Sequence, residues 1–577
     1  MRDSHVGLYL LAEGQAALQE KVGYHPPAAE RLRAWLQSHP DEFYLPGIAA
    51  LTFAIVSGFL FALTAPSTPL GFILLATLAV LLPSSQSAVQ IMNYLVTAAL
   101  PAQILPKLDF SEGIPNECIT LVAVPAMLLN EKQVRTLVDD LEVRFLGNQD
   151  PNLHFALLTD LPDSPHEPQE EDPLVDLCSD LVSKLSKKYA ERGMGSFFLF
   201  HRHRVYNPRE RIWMGCERKR GKLMDLNNLL CGKYDSFPVK TGNLSILPDI
   251  RFVITLDSDT ELPRGSARRL VGALAHPLNQ AIIDPEREIV VAGYGILQPR
   301  VGISVQSTAR SRLASIYSGQ TGFDIYTHAT SDVYQDLYGE GIFVGKGIYE
   351  VKTLERVLSR RFPRNALLSH DLIEGAYGRA GLVSDIEVIE DYPSHYSAHN
   401  RRKHRWLRGD WQITEWLLPT VPDESGRQVP NPLSVGSRWR ILDNLRRSLV
   451  EPAFFALLLL GWMALPGPAW AWTLAAVGIL FLPSLCQLAV DLAHATISRK
   501  GDIVVAALNT FFNAAIANVL TLTFMAHQAL LSLDAVARTM VRRLITRQRL
   551  LQWETAAEAE LHGYRRTMLD VYLNWTP

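Results

Sequence analysis

The distribution of charged residues divides this chain into apolar and charged regions. Three long stretches contain no Asp, Glu, Lys or Arg: residues 43–106, 452–490 and 503–533. A helix needs about 20 consecutive apolar residues to cross a membrane, whereas the core of a soluble domain seldom requires runs of this length. The pattern therefore predicts membrane helices on both sides of a charged central region. A helical hairpin buried in a soluble core is the alternative interpretation.

Prolines and polar residues subdivide the apolar stretches. The predicted segments are residues 45–64, 70–82, 84–105, 453–465 and 469–490. The third of these is only mildly apolar and is expected to lie at the membrane interface. The stretch 503–533 contains Asn509, Asn513 and Asn518, which favour an interfacial or re-entrant segment at least as much as a span. We therefore expect four to six membrane segments.

Basic clusters flank these segments and predict their orientation, because cytosolic loops are enriched in Lys and Arg. The clusters are Arg438, Arg440, Arg446 and Arg447; Arg499 and Lys500; and Arg542, Arg543, Arg547 and Arg549. The first 42 residues contain both acidic and basic residues, so no signal peptide is predicted. The expected regions are a cytosolic segment (1–42), membrane or interfacial helices (43–106), a cytosolic catalytic domain (107–430), interfacial and membrane helices (431–533) and a cytosolic helical segment (534–577).

In the central region, short apolar runs alternate with helical patterns. The predicted strands are residues 119–124, 153–158, 196–200, 252–256 and 289–292, and the clearest predicted helices are 131–145 and 174–189. This alternation predicts an α/β domain with a largely parallel sheet, whose ligands lie beyond the carboxyl ends of the strands. The net charge of −3 gives no reason to expect a nucleic-acid partner. The five cysteines lack metal-ligand spacing and are expected to be reduced.

The strongest local signal is the segment 252–260, FVITLDSDT. An apolar strand ends there in Asp257 and Asp259, and residues i and i+2 of a strand point to the same side. Two carboxylates aimed at one point suit a divalent cation that bridges the phosphates of a nucleotide, because hard cations prefer oxygen ligands. A solvated acidic turn or a helix cap is the alternative interpretation.

A second signal is Asp371, which follows His370 and opens a helix-like stretch after a loop. A hydroxyl group is a poor nucleophile until a base accepts its proton, and a carboxylate facing a cleft serves this purpose. The alternative is a helix N-cap.

The third signal is the segment 401–412, RRKHRWLRGDWQ, which combines cationic residues with two indoles. Cations can neutralise a departing diphosphate, and a tryptophan offers a flat face on which a sugar ring can stack. A juxtamembrane patch attracted to anionic lipid is the alternative. Two weaker features are the segment 218–228, suited to phosphate or ribose contacts, and the Gly-rich loop 339–347, which lacks the spacing of a phosphate-binding loop.

The order of these motifs resembles that of the processive membrane glycosyltransferases of the cellulose-synthase type. The matching positions are Val124-Pro125 with Glu131, Asp160, Asp257, Asp259, Asp371 and the stretch Arg402–Trp406. Arg402 stands where that family has Gln, and His370 precedes the catalytic aspartate where an acid is usual. These departures argue against cellulose synthase itself.

In several segments the amino-acid sequence itself is more similar to the glycosyltransferase region of bacterial cyclic β-1,2-glucan synthases. The similar segments include GEGIFVGKGIYEV, LLSHDLIEGAYGRAG and RLLQWETAAEAE, and the likeness extends from Val6 to the region of Glu554. The resemblance implies a nucleotide-sugar-binding A-type fold, UDP-glucose as donor and a growing glucan as acceptor, at the bacterial inner membrane. Full-length family members have further carbohydrate-processing domains, which are expected here to be missing or to lie on separate chains.

The resemblance also implies an inverting mechanism. Mg²⁺ or Mn²⁺ is expected at Asp257 and Asp259, with Asp371 as the catalytic base. The residues expected to contact the nucleotide or donor are Glu131, Asp160, Lys222, Asn227, Asp257 and Arg405. The residues expected on the acceptor side are Trp406, Asp410 and His370.

Three other functions remain open at this point. One is a polysaccharide synthase with a different sugar or linkage. Another is a non-catalytic glucan-binding scaffold in the membrane. The third is a metal-dependent phosphohydrolase that uses His370 and Asp371 with His395, His399 or His404, although such sites normally occupy all-helical domains.

Overall fold

The charged central region folds around an eight-stranded sheet. The computed structural model describes residues 5–11, 14–167, 172–190, 196–305, 331–393, 396–498 and 501–552. The strands in these residues are β1 (Thr120–Met127), β2 (Leu153–Asp160), β3 (Phe197–His201), β4 (Val205–Asn207), β5 (Ile212–Met214), β6 (Val239–Thr241), β7 (Phe252–Thr255), β8 (Ile282–Ile283), β9 (Val290–Ala292), β10 (Ile296–Ile303), β11 (Gly347–Glu350), β12 (Ala380–Glu390), β13 (Thr420–Pro422) and β14 (Gln428–Pro430).

Helices precede, cover and follow this sheet. They are α1 (Val6–Leu11), α2 (Gln15–Val22), α3 (Ala28–Ser38), α4 (Pro40–Leu63), α5 (Leu70–Ala99), α6 (Glu131–Gly147), α7 (Pro173–Ala190), α8 (Arg218–Leu230), α9 (Ser266–Ala275), α10 (Val333–Tyr338), α11 (Val351–Leu358), α12 (Asp371–Tyr377), α13 (Tyr396–Gln412), α14 (Val435–Ser448), α15 (Val450–Met463), α16 (Ala469–Ser498) and α17 (Gly501–Val541).

The main sheet has the strand order β12-β10-β11-β7-β1-β2-β3-β6. β1 runs parallel to β2 and β7, β2 runs parallel to β3, and β10 runs parallel to β12. β6 and β11 pair antiparallel to their neighbours. The predicted, mostly parallel α/β sheet between apolar helices is therefore confirmed. The predicted strand at residues 289–292 lies outside this sheet, because β9 pairs only with β8.

Both faces of β1 are buried, which accounts for its unbroken apolar sequence. Leu121 and Ala123 belong to a cluster that includes residues of α8, α11 and α12. Val122 and Val124 point to the opposite face and pack with residues of α6, α7 and α9. Because β7, β1 and β2 are parallel neighbours, their carboxyl ends meet at one edge, where ligands bind in such sheets.

Four of the described helices, α4, α5, α16 and α17, are long and apolar enough to cross a membrane, judged by length and composition. The apolar helix α15 is shorter. All five contribute to one buried cluster that includes Val56, Val80, Leu457, Trp472 and Met525. Helices from the two ends of the chain therefore pack together, and the sheet domain is inserted between them.

The prediction of a separate element at residues 84–105 is wrong. Helix α5 continues through Pro83 and ends at Ala99. Proline removes one backbone hydrogen bond, but apolar helices tolerate it where neighbouring helices and nearby side chains support the backbone. Pro83 is itself buried in the helix bundle, so it does not end the helix.

The third apolar stretch forms part of one unbroken helix. Helix α17 has 41 residues, which corresponds to a length of about 60 Å at about 1.5 Å per residue. Asn518 donates a hydrogen bond to the carbonyl oxygen of Leu480 in α16, at 3.5 Å. Because the helix is unbroken across residues 503–533, the re-entrant alternative is wrong. The interfacial alternative stays a prediction.

Candidate active site

The turn that follows β7 carries Asp257 and Asp259. Arg144 of α6 donates from its guanidinium group to the carbonyl oxygens of Ser258 at 2.8 Å and Thr260 at 2.9 Å. This buried arginine fixes the backbone of the turn, because one rigid planar group holds two of its carbonyl groups. The sequence FVITLDSDT thus forms a strand end with a constrained acidic turn, as predicted.

The end of β12 lies beside this turn and adds the carboxylate of Glu390. A backbone bridge joins the two segments, and Thr260 Oγ1 donates to Glu390 Oε1 at 3.0 Å. Carboxylate oxygens of Asp257, Asp259 and Glu390 lie within 4.8 Å of one another. Three oxygen donors at this spacing fit a hard divalent cation such as Mg²⁺ or Mn²⁺.

Two lysines neutralise part of this acidic cluster. Lys219 Nζ lies 2.5 Å from Asp257 Oδ1, and Lys346 Nζ lies 3.1 Å from Asp257 Oδ2 and 2.5 Å from Glu390 Oε1. Burial raises the pKa of Asp257, but the two ammonium groups outweigh it and hold that pKa below its usual range. Desolvation in the cleft and repulsion from Asp257 and Glu390 raise the pKa of Asp259. Asp259 is therefore the carboxylate whose charge is least compensated.

Asp371 is the first residue of α12, and its side chain is partly exposed. The N-cap position belongs to His370, so the N-cap interpretation of Asp371 is wrong. Gly345 adopts a φ of +82° beside Asp371, and a Cβ atom there would lie 2.9 Å from Asp371 Oδ1. The glycine therefore leaves room for the loop to approach the carboxylate.

His370 is buried behind Asp371. Its Nδ1 lies 3.0 Å from Glu374 Oε2 and 3.6 Å from Asp371 Oδ1. Burial lowers the pKa of His370, but Glu374 and Asp371 outweigh that effect and raise the pKa above its ordinary value. His370 thus lies inside the protein rather than lining an open surface.

Arg405 of α13 connects the acidic turn with Asp371. Burial, followed by repulsion from Arg402, lowers the pKa of Arg405 to about 10, whereas Asp257, Asp259 and Asp371 oppose this shift. The guanidinium therefore remains charged at neutral pH and interacts with all three carboxylates. The acidic turn, the candidate base and the basic helix are brought together, although they are far apart in sequence.

Trp406 and Asp410 lie one turn apart on α13 and differ in their surroundings. The Trp406 residue is 39% exposed, and the Arg402 guanidinium lies 4.8 Å from the centre of its ring. The Asp410 carboxylate accepts a hydrogen bond from Asn444 of α14 at 3.2 Å. Burial raises the pKa of Asp410 to about 6, although Arg447 and Asn444 oppose this. Trp406 is thus partly exposed beside Arg402, whereas Asp410 contacts α14.

Asp160 and Lys222 form a buried charged network. Arg202 donates two hydrogen bonds to the Asp160 carboxylate, each at 3.0 Å, and a third to Asp225 at 2.8 Å. Lys222 Nζ lies 3.2 Å from Asp160 Oδ2 and donates to the carbonyl oxygen of Ala126 at 2.5 Å. The predicted nucleotide contacts Asp160 and Lys222 are therefore bonded to each other, beneath the ends of β1 and β2.

Replacing Asp160 with asparagine is expected to destabilise the protein by about 3–5 kcal/mol, because it leaves the buried cations of Arg202 and Lys222 without their shared carboxylate. Thermal unfolding of the detergent-solubilised chain measures the effect. The control is Asp180→Asn on the exposed side of α7, which is expected to change stability by less than about 0.5 kcal/mol. Equal unfolding temperatures for both variants would contradict this account of the network.

The two other predicted nucleotide contacts differ in exposure. Glu131 is exposed in the first turn of α6. Asn227 is buried, and its side-chain oxygen accepts a hydrogen bond from the hydroxyl group of Tyr349 at 3.0 Å.

His370, Asp371 and Glu374 lie close enough together to hold a metal ion, but the two other described histidines of the phosphohydrolase alternative have partners of their own. His404 Nε2 lies 2.9 Å from Asp534 of α17, and His399 packs beside the ring of Tyr392. His395 lies outside the described residues. Since the described domain is also built on a sheet, the structure argues against this alternative.

Sequence reasoning missed four charged residues around the site: Glu390, Lys219, Lys346 and Arg202. A signal existed for Glu390, because the apolar residues of β12 end in an acid in the same way as those of β7. The lysines and Arg202 lie in segments that were noted only as basic or glycine-rich. Their partners are set by the order of the strands, which the sequence pattern does not specify.

No protein-family model matches the chain. The chain is similar to the cyclic β-(1,2)-glucan synthase NdvB of Rhizobium meliloti (strain 1021), with 38% identity over 574 residues. The match covers 98% of this chain but 20% of that relative, so the chain spans about a fifth of its length. The mannosyltransferase PcManGT from Pyrobaculum calidifontis, solved in complex with GDP-Man and Mn²⁺, matches with a TM-score of 0.34 and 14% identity, over 77% of this chain and 98% of that one.

The similarity to NdvB confirms the predicted resemblance to the glycosyltransferase region of cyclic β-1,2-glucan synthases.

Proposed function

We propose that this chain is a membrane glucosyltransferase that transfers glucose from UDP-glucose to a growing β-1,2-glucan, with inversion, as part of cyclic β-1,2-glucan synthesis. The observation that carries the proposal is the 38% identity to a cyclic β-(1,2)-glucan synthase across 98% of this chain. The interaction of Arg405 with Asp257, Asp259 and Asp371 supports it, because these residue types suit a donor diphosphate and an acceptor hydroxyl group.

The donor would bind at the carboxyl ends of β1, β2 and β7. Asp257 and Asp259, together with Glu390, would hold Mg²⁺ or Mn²⁺, since their oxygens lie within 4.8 Å of one another. When bound, such an ion supplies positive charge that stabilises a diphosphate leaving group. The remaining proposed contacts of the nucleotide are Glu131, Asp160, Lys222 and Asn227.

The transfer itself requires a base and a cation. Asp371 would accept the proton of the acceptor hydroxyl as its oxygen attacks the anomeric carbon and the bond to the diphosphate breaks. Arg405 would stabilise the charge that develops on the departing UDP. One displacement at an α-configured donor carbon gives a β-linked product. His370 and Asp410 are proposed to support the acceptor side, His370 through its contact with Asp371.

The proposed setting is the bacterial inner membrane, with the sheet domain in the cytosol. Four membrane-capable helices and the basic clusters that border them support this placement. A cytosolic domain has direct access to nucleotide sugars.

The test is to purify the full chain in detergent and to measure UDP release from UDP-glucose with Mg²⁺ or Mn²⁺. Analysis of the product by NMR identifies the linkage. Turnover with β-1,2 signals supports the proposal, whereas another linkage or another preferred donor indicates a different polysaccharide synthase. If UDP neither binds nor is released, the donor assignment is wrong and a non-catalytic scaffold becomes the better interpretation.

Replacing Trp406 with alanine is expected to raise KM for the glucan acceptor about tenfold, because loss of the stacking face removes about 1–2 kcal/mol of apolar contact. KM for UDP-glucose is expected to change little, since Trp406 is proposed to contact only the acceptor. Initial rates at varied glucan concentration measure the difference. If only KM for UDP-glucose rises, Trp406 contacts the donor and not the acceptor, and the proposed role is wrong.

A further inference from the structure

The sequence Gly345-Lys346-Gly347 places an ammonium group inside the acidic cluster. Lys346 Nζ lies 2.5 Å from Glu390 Oε1 and 3.1 Å from Asp257 Oδ2, and only 7% of the lysine side chain is exposed. Gly345 and Gly347 have φ angles of +82° and +154°, and a Cβ atom on Gly347 would lie 2.2 Å from a backbone oxygen of β10. The two glycines therefore hold the loop in a conformation that turns Lys346 inward.

Lys219 contacts the other oxygen of Asp257. Its Nζ lies 2.5 Å from Asp257 Oδ1 and donates to the carbonyl oxygen of Gly345 at 2.8 Å. Each carboxylate oxygen of Asp257 therefore already faces an ammonium group. Because a divalent cation prefers the same oxygens, it must share or displace these contacts when it binds.

The charges around the cluster nearly balance without a metal ion. Asp257, Asp259 and Glu390 contribute three negative charges, and Lys219, Lys346 and Arg402, whose guanidinium lies 3.6 Å from Glu390 Oε2, contribute three positive ones. A divalent ion added alone would turn a net charge of about zero into about +2, and uncompensated charge in a partly buried site is unfavourable. A nucleoside diphosphate brings negative charge that offsets the added cation.

We infer that Lys346 is a resident counter-cation that competes with a divalent metal ion for Asp257 and Glu390, so that the metal binds tightly only together with a nucleoside diphosphate. The inference rests on the proposed function, which supplies these two ligands. By thermodynamic linkage, the metal and the nucleotide must strengthen each other's binding by the same factor. Lys346 acts through the carboxylates and is a positioning residue, not a catalytic one.

The test is the binding of Mn²⁺ to the full chain in detergent, followed by the electron paramagnetic resonance signal of free Mn²⁺, with and without UDP. The unmodified protein is expected to bind Mn²⁺ at least about tenfold more tightly when UDP is present. Lys346→Met keeps the apolar stem and removes the charge, so it is expected to bind Mn²⁺ alone about tenfold more tightly and to gain less from UDP. The control Lys352→Met, at an exposed position of α11, is expected to match the unmodified protein.

Lys346→Gln provides a second neutral variant that keeps a hydrogen-bond donor, and the same shift is expected if the methionine variant folds poorly. Equal Mn²⁺ affinity with and without UDP in the unmodified protein overturns the inference. The inference is also overturned if Lys346→Met and Lys346→Gln both bind Mn²⁺ alone with unchanged affinity. If UDP-glucose is still turned over, these results leave the proposed function intact. If the unmodified protein does not bind UDP, the proposed donor itself is wrong.

Discussion

Asp371→Asn is expected to lower kcat for UDP release by about 10²–10⁴-fold, the usual contribution of a general base. Asparagine has nearly the same shape but cannot accept the acceptor's proton. Asp371 occupies the first position of α12, and the Gly345 loop approaches its carboxylate closely. The substitution therefore removes the charge without requiring a movement of the loop.

The binding of the donor separates a chemical defect from a structural one. The affinity of Asp371→Asn for UDP is expected to stay within about threefold of the unmodified protein, because the loss concerns the transition state rather than the ground state. The control Asp249→Asn changes an exposed aspartate just before β7 and is expected to keep normal turnover. If Asp371→Asn retains most of its kcat, the base lies elsewhere and the proposed mechanism is wrong.

Local patterns predicted the parts of the fold that depend on few residues. The apolar runs of β1 and β2 indicated strands buried on both faces, and the helical spacing at 131–145 indicated α6. The acidic turn at Asp257 and Asp259 follows from a strand that ends in two carboxylates. These features are encoded within about ten residues, so a single sequence displays them.

The composition of the acidic cluster depends on contacts that are distant in sequence. Glu390 meets Asp257 because β12 runs in the same direction as β7, and its end is joined to the turn after β7 by the bridge between Glu261 and Ile389. Lys346 reaches both carboxylates because it immediately precedes β11. No periodicity within one segment specifies this strand order, which explains why the third carboxylate and its lysine were not predicted.

The apolar helices show a similar limit. Composition correctly indicated segments long enough to cross a membrane, but the boundaries depend on packing. Pro83 suggested a break, yet α5 continues through it among buried neighbours. The asparagines of α17 suggested a surface or re-entrant segment, yet Asn518 contacts the backbone of α16. In both cases the helix continues among packed neighbours that the local sequence does not reveal.

Asp257→Asn and Asp259→Asn are both expected to lower metal-supported turnover by about 10²–10³-fold, since each removes charge from the site that stabilises the diphosphate. Their effects on stability are expected to differ in sign. The folded pKa of Asp257 lies below its ordinary value of 3.8, so its ionised form stabilises the fold at neutral pH and this contribution is lost as pH falls through the folded pKa. The folded pKa of Asp259 is raised above 3.8, so ionised Asp259 disfavours the folded state above that pH.

The two variants are therefore expected to lose turnover alike but to differ in unfolding temperature. At pH 7 and without metal, Asp257→Asn is expected to lower the unfolding temperature, because it leaves Lys219 and Lys346 with fewer acceptors. Asp259→Asn is expected to match or exceed the unfolding temperature of the unmodified protein, because it relieves repulsion with Asp257 and Glu390. Thermal unfolding at pH 7 in a chelating buffer, together with UDP release in Mn²⁺, measures both effects.

If both variants lose stability equally, the lysines do not favour Asp257 over Asp259. If either keeps full metal-supported turnover, that carboxylate does not hold the metal, and the site must be centred on the remaining acids.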